Sequence, residues 1–178
     1  MPPRMDAATL PDSRSVLEPL RRLVAARADP NSLTSRALTL SALNDNSRAV
    51  HAAELPAGGG IATARSLARL AGALVGEVDG VRLLSPQTIR AATAVQSDGP
   101  DRVRFVATRF GLGFMLDSPF SPFGGAGRFG HTGAGGALAF ADPESGLAFG
   151  YAMNQMMPGL LGPDCRMAAL IEAARDCV

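Results

Sequence analysis

The chain contains no lysine: all seventeen of its basic residues are arginine. That absence excludes a phosphate-binding loop of the kind whose lysine reaches the terminal phosphates. Gly133, Gly135 and Gly136 imitate a dinucleotide loop, but the sixth position is Leu138 and no helix follows, so that reading fails too. Cysteine is scarce. Cys165 and Cys177 fall in one helical pattern, twelve residues apart, or about 18 Å at the helical rise and beyond disulfide reach. Both are expected to be free thiols of a reducing compartment. No run of eighteen apolar residues exists, and the longest apolar stretch, 146 to 162, is broken by Asn154, Gln155 and Pro158. No membrane span is therefore expected. Met1 to Asp6 lacks the apolar stretch of a secretory signal, so a cytoplasmic location is expected. A net charge of +1 gives no electrostatic case for nucleic acid or an anionic membrane. Metal ligands are sparse as well: His51 with Glu54 is at best a weak pair, where a zinc site takes three or four ligands. Neither a metal nor a cofactor is expected.

What is there suits one domain with a real core. The 178 residues are 47% apolar and 19% charged, ordinary globular values. Over 13–28, Ser13 or Ser15 can cap a helix whose Val16, Leu17, Leu20, Leu23 and Val24 share a stripe. From Leu33 to Glu54 the pattern is irregular and reads as loop. After Gly58-Gly59-Gly60 a clearer helix follows, with Leu67, Leu70, Ala71, Leu74 and Val75 on the apolar face and Arg65, Arg69 and Glu77 on the solvated one. Gly76 and Gly80 stop it. Ser85 and Pro86 open another helix, with Ile89, Ala92 and Val95 on its buried side. Gln96 to Asp101 reads as a polar turn, and Val103 to Leu116 as strand bent at Gly111 and Gly113. Residues 118–125 are loop, rich in proline and glycine. Asp164 is placed to cap a last helix with Met167, Leu170, Ile171 and Ala174 inward. Met153, Met156 and Met157 read as core filling. Helices first, strands next and a terminal helix describe an α+β protein rather than alternating βαβ units.

The most informative stretch is Phe129-Gly130-His131-Thr132-Gly133-Ala134-Gly135-Gly136. It reads as a strand ending in a glycine-rich edge, where backbone or an acyl group can approach closely because no Cβ intervenes. His131 and Thr132 place a titratable ring and a hydroxyl there. Two apolar strands follow, 137–141 and 147–153, joined by Asp142-Pro143-Glu144-Ser145-Gly146. Asp-Pro opens a turn, and Gly146 can take positive φ to close it. A Ser-His-Asp triad could be written from His131, Asp142 and some serine, but no G-x-S-x-G elbow is present to expose the hydroxyl.

His-Thr-Gly on a strand, then Ala-Gly-Gly and a DPxxG hairpin, resembles the third motif of the serine β-lactamase-like hydrolases. That family includes class C β-lactamases, penicillin-binding transpeptidases and esterases of the same fold. Lys-Thr-Gly is common in it, and the esterase branch often replaces the lysine, as His131 does here. Residues 57–70, Leu83 to Thr88 and Phe110 to Met115 resemble the same branch in the same order. The likeness runs from about Asp29 to the terminal helix. It implies an antiparallel sheet flanked by helices, the C-terminal portion of a β-lactamase/transpeptidase-like fold. The whole chain, 1–178, would be a partial domain, with an N-terminal helical segment over 1–30 and a family-like part over 31–178.

The resemblance also implies roles. His131, Thr132 and Gly133 would border the substrate, and the backbone N–H of Ala134 would be one of two oxyanion donors. Such a donor is worth about 3 kcal/mol in the transition state. The family's nucleophile is a Ser-x-x-Lys serine activated by its lysine, and a chain without lysine cannot contain it. The only tyrosine, Tyr151, stands in Tyr-Ala-Met-Asn154, one residue too long for Tyr-x-Asn. An imidazole carries charge only part of the time near neutral pH, which tilts the choice from an anionic β-lactam towards an uncharged ester. Two readings stand. In one, the chain acts on a small-molecule ester, or less readily a β-lactam, through an acyl-serine when complemented by a segment bearing the missing motifs. In the other it is a non-catalytic remnant or binding module that keeps the cleft wall. In both, uncovered sheet surface is expected to promote self-association.

Overall fold

The computed structural model describes residues 13–38, 46–56, 58–133, 135–156 and 165–178. Among these residues six helices and six strands are ordered as α1 Ser13–Ala28, α2 Leu33–Leu38, α3 Arg48–Ala52, α4 Ala64–Val75, α5 Pro86–Ala92, β1 Ser97–Pro100, β2 Ala107–Phe110, β3 Met115–Leu116, β4 Phe129–Thr132, β5 Leu138–Ala141, β6 Ala148–Tyr151 and α6 Cys165–Arg175. The strands form one antiparallel sheet in sequence order, β1-β2-β3-β4-β5-β6. The fold is α+β, as expected.

The local signals act as capping chemistry predicts. Thr63 accepts from the Ser66 N–H at 3.2 Å to start α4, and the Gly76 N–H ends it by donating to the Gly72 carbonyl at 2.7 Å. Ser85 accepts from the Thr88 N–H at 3.1 Å, with Pro86 in the first turn of α5, where its missing donor costs nothing. The β5–β6 turn closes through the Gly146 N–H, which donates to the Asp142 carbonyl at 2.9 Å, with Gly146 at φ 73°.

Register sorts the side chains. Phe129 pairs with Ala141, and Ala141 with Ala148; Gly130 pairs with Phe140, and Phe140 with Phe149. Successive residues alternate faces, so one face collects Leu116, Phe129 and Ala141 beneath Ala71 of α4 and Ile89 of α5. The opposite face collects Met115, Leu138 and Phe140 with Phe123 beneath Met167 and Ile171 of α6. The sheet is thus sandwiched between helices. At β6 the approach is close: a Cβ on Gly150 would lie 2.4 Å from the Ala64 carbonyl oxygen and 2.6 Å from the Ala68 nitrogen.

Several expectations need correction. Residues 33–54 are not all loop, since α2 and α3 lie within them; Ser47 caps α3 by accepting from Val50 at 3.2 Å, and short capped helices lack the length for a clear apolar period. The 96–101 segment contains β1, paired from Ser97↔Phe110 to Pro100↔Ala107. An edge strand tolerates the glycine and proline that suggested a turn. The strand read over 103–116 is two strands. Asp101 Oδ1 accepts from the Val103 and Arg104 N–H groups at 2.7 and 2.8 Å, holding a turn before β2, and Gly113 at φ 82° bends the chain before β3. Leu70 of α4 is 53% exposed, because α4 turns the small residues Ala71 and Gly72 to the sheet instead, Ala71 with Phe129 and Ala141 and Gly72 beside Ala148. On α1, Leu23 is buried while Leu17 and Val24 are exposed. Val95 lies past the end of α5 and is exposed. Met156 is 70% exposed rather than core. Met167 and Ile171 are buried as expected; the proposed cap Asp164 and Met157 lie outside the described residues. No described helix is long and apolar enough to cross a membrane.

Candidate active site

β4 carries Phe129, Gly130, His131 and Thr132 between β3 and β5. Its ladder to β5 covers all four residues, Phe129↔Ala141 to Thr132↔Leu138. Its ladder to β3 covers only Met115↔Gly130 and Leu116↔Phe129. Beyond Gly130, therefore, β4 has a neighbouring strand on one side and, among the described residues, none on the other. The glycine-rich end is open at this point. The chain then turns back: the Gly133 N–H donates to the Ala137 carbonyl at 2.7 Å, and the Gly136 N–H to the Gly133 carbonyl at 3.1 Å. Gly136 has φ 108°, a conformation costly for any residue with a Cβ.

The strand's two-residue period sends His131 and Thr132 to opposite faces. His131 lies on the α4 side, exposed, with its Nδ1 at 2.9 Å from the Thr132 carbonyl oxygen. A carbonyl oxygen only accepts, so Nδ1 carries the proton, and in the neutral ring Nε2 is the atom left for a ligand. The Phe110 ring lies 6.4 Å from the imidazole, centroid to centroid. Thr132 points to the α6 side, where its hydroxyl donates to Met115 Sδ at 3.8 Å. The same sulfur accepts from the buried Ser121 hydroxyl at 3.8 Å. Gly133 belongs to the same turn, and Ala134 lies outside the described residues.

Register also decides what borders the turn. Thr132 pairs with Leu138, and Leu138 with Tyr151, so the chain leaving β6 emerges beside the Gly133–Ala137 turn. A Cβ on Gly135 would lie 2.7 Å from Met153 Cε and 2.6 Å from Met156 Cε. Phe110, Met115, Met153 and Met156 were not visible as site residues in sequence, because only the strand register brings them there.

Asp142, which a triad written on paper would enlist, is committed elsewhere. Its Oδ2 accepts from Arg128 Nε at 2.7 Å and from the Ser145 hydroxyl at 2.9 Å, and its Oδ1 from the Glu144 N–H at 3.0 Å. Burial by itself raises the carboxyl's pKa, but these hydrogen bonds and the Arg128 charge outweigh it and hold the group below the usual carboxylate range. It sits at the opposite end of β5 from the glycine turn. A groove of about 420 Å³, lined by residues that include Arg65, Arg69, Glu77 and Gly146, lies at that far end too. No cluster of three metal-ligating side chains occurs among the described residues.

Comparison with known proteins places this arrangement. The esterase/β-lactamase LipL of Mycobacterium tuberculosis is 40% identical over 116 residues, covering 63% of this chain and 26% of LipL. The structure of EstA from Arthrobacter nitroguajacolicus superposes with a TM-score of 0.74 at 36% identity, over 83% of this chain and 41% of EstA. A family VIII carboxylesterase superposes at 0.68 and 36% identity, over 88% of this chain and 40% of its own. A penicillin-binding protein homologue from Caulobacter crescentus gives 0.58 and 43%, over 66% of this chain and 32% of its own. The chain thus spans about a quarter of the curated relative and less than half of each solved one. The family model described as Beta-lactamase matches residues 5–174, and with six antiparallel strands between helices and a His-Thr-Gly strand end in place, the chain belongs to that family of β-lactamase-like serine hydrolases.

Proposed function

We propose that this chain supplies the third-motif wall of an ester-hydrolysing cleft. His131, Thr132 and Gly133 border the substrate, and the Ala134 N–H is one oxyanion donor. The observation that carries the reading is the short β3 ladder, which stops at Gly130 and leaves the backbone edge at His131 and Thr132 without a strand on that side among the described residues. A carbonyl compound can lie against such an edge. The reaction is acyl transfer: a serine hydroxyl adds to the ester carbonyl, the alcohol leaves with a proton, and water hydrolyses the acyl-serine. The serine and its lysine belong to a Ser-x-x-Lys element outside these 178 residues, which hold no lysine. The domain is correspondingly partial, an N-terminal segment over 1–30 and a family-like part over 31–178. The names of the relatives support an ester as substrate ahead of a β-lactam.

The test pairs fluorophosphonate labelling, read by intact mass, with turnover of a short-chain p-nitrophenyl ester and of a chromogenic cephalosporin. The chain is assayed alone and mixed with a segment carrying Ser-x-x-Lys and Tyr-x-Asn. Ester turnover and a labelled serine only in the mixture are expected. A stoichiometric adduct with turnover in the chain alone would overturn the division of labour. A second reading, a binding module that keeps the wall without the chemistry, is favoured by the missing lysine. It predicts ligand binding but no turnover in either assay.

A further inference from the structure

We propose that Met153 and Met156 form an apolar rim that selects the aliphatic acyl chain of the ester; the inference rests on the cleft reading above. Three observations carry it. First, the Leu138↔Tyr151 register delivers the segment after β6 to the glycine turn, and the Arg166 guanidinium fixes it there by donating to the Gln155 carbonyl at 2.9 Å. Second, both thioether methyls are seated on Gly135, where a Cβ would fall within 2.7 Å of each. The missing side chain at 135 is what admits them. Third, Met156 remains 70% exposed, so apolar surface faces outward against Gly135, three residues along the chain from Thr132 and four from His131. Unpartnered apolar surface beside a carbonyl-binding edge suits the hydrocarbon part of a ligand whose carbonyl is held at that edge. Thioethers are flexible and polarisable, so such a rim adapts to acyl chains of different length instead of fixing one.

The occupant is a saturated acyl chain of several carbons. Each methylene buried against the rim should tighten binding by about fourfold until the rim is covered. Charged or very short acyl groups gain nothing from it.

The experiment uses the full chain labelled with 13C on methionine methyls and 15N on the backbone, titrated with methyl acetate, methyl butyrate and methyl hexanoate. The amides of Gly133, Gly135 and Gly136 report occupancy of the cleft, and the methyls of Met153 and Met156 report the rim. Buried Met167 on α6 is the internal control. Expected are saturable shifts in both sets, affinity rising with acyl length, and loss of that rise in Met156→Gln and in Met153→Gln. Glycine shifts with no dependence on acyl length, or a dependence that survives both variants, would overturn the rim and leave the cleft reading standing. Absence of glycine shifts with every ester would remove the cleft reading and the rim with it.

Discussion

Arg128 donates from Nε to Asp142 Oδ2 at 2.7 Å, joining the residue before β4 to the residue after β5. Both are largely withdrawn from water, with side chains 15% and 5% exposed. The pair fastens the end of the β4–β5 hairpin opposite the glycine turn, so it holds the register on which the candidate site depends.

Asp142→Asn tests that fastening. Removing one partner of a buried ion pair leaves the other uncompensated and should destabilise the fold by about 3 kcal/mol at neutral pH. The Asp142 carboxyl is held below its ordinary range in the folded chain. Its contribution is therefore complete above the unfolded carboxylate value, about 3.9, and is lost as pH falls through the lower folded value. Urea unfolding across acid pH should show a declining limb below about pH 4 in the parent and a flatter one in the variant. Equal slopes would assign that acid sensitivity to other carboxylates.

Gly150→Val tests the contact between α4 and β6. A Cβ there would overlap the backbone of Ala64 and Ala68, and backbone cannot rotate aside as a side chain does. Overpacking of this kind typically costs about 1–3 kcal/mol, measured as a lower urea midpoint. Unchanged stability would mean that α4 lifts from the sheet at no cost.

His131→Lys restores the Lys-Thr-Gly pattern at an exposed position, so stability should stay within about 0.5 kcal/mol. A fixed cation should favour an anionic ligand by about 1 kcal/mol, roughly fivefold in affinity. Benzylpenicillin binding at pH 8 should therefore tighten by isothermal titration, while methyl hexanoate binding stays unchanged. Equal affinity of both chains for benzylpenicillin would remove His131 from anion discrimination.

Self-association is expected through the sheet. Among the described residues β6 pairs only with β5, and its sequence Ala148-Phe149-Gly150-Tyr151 carries no charge to discourage edge pairing. Light scattering over increasing concentration should show rising mass. A monodisperse monomer throughout would contradict it.

The sequence by itself determined the capped helices, the β5–β6 hairpin and the His-Thr-Gly strand end, because each rests on short-range chemistry. Ser85 before Pro86, Gly146 after Asp142, and Met167 one turn before Ile171 are signals that neighbours along the chain can satisfy. Short elements escaped it. α2 and α3 lack the length for a clear period, and β1 is an edge strand whose glycine and proline read equally well as a turn. The surroundings of the site needed the tertiary structure. Antiparallel register carries Tyr151 to the level of Leu138 and Thr132, which sets Met153 and Met156 on Gly135, and pleating turns Thr132 towards Met115 while His131 faces the other way. Nothing local to those residues encodes these meetings. They follow from the residue-by-residue register between successive strands, and only the folded sheet fixes that register.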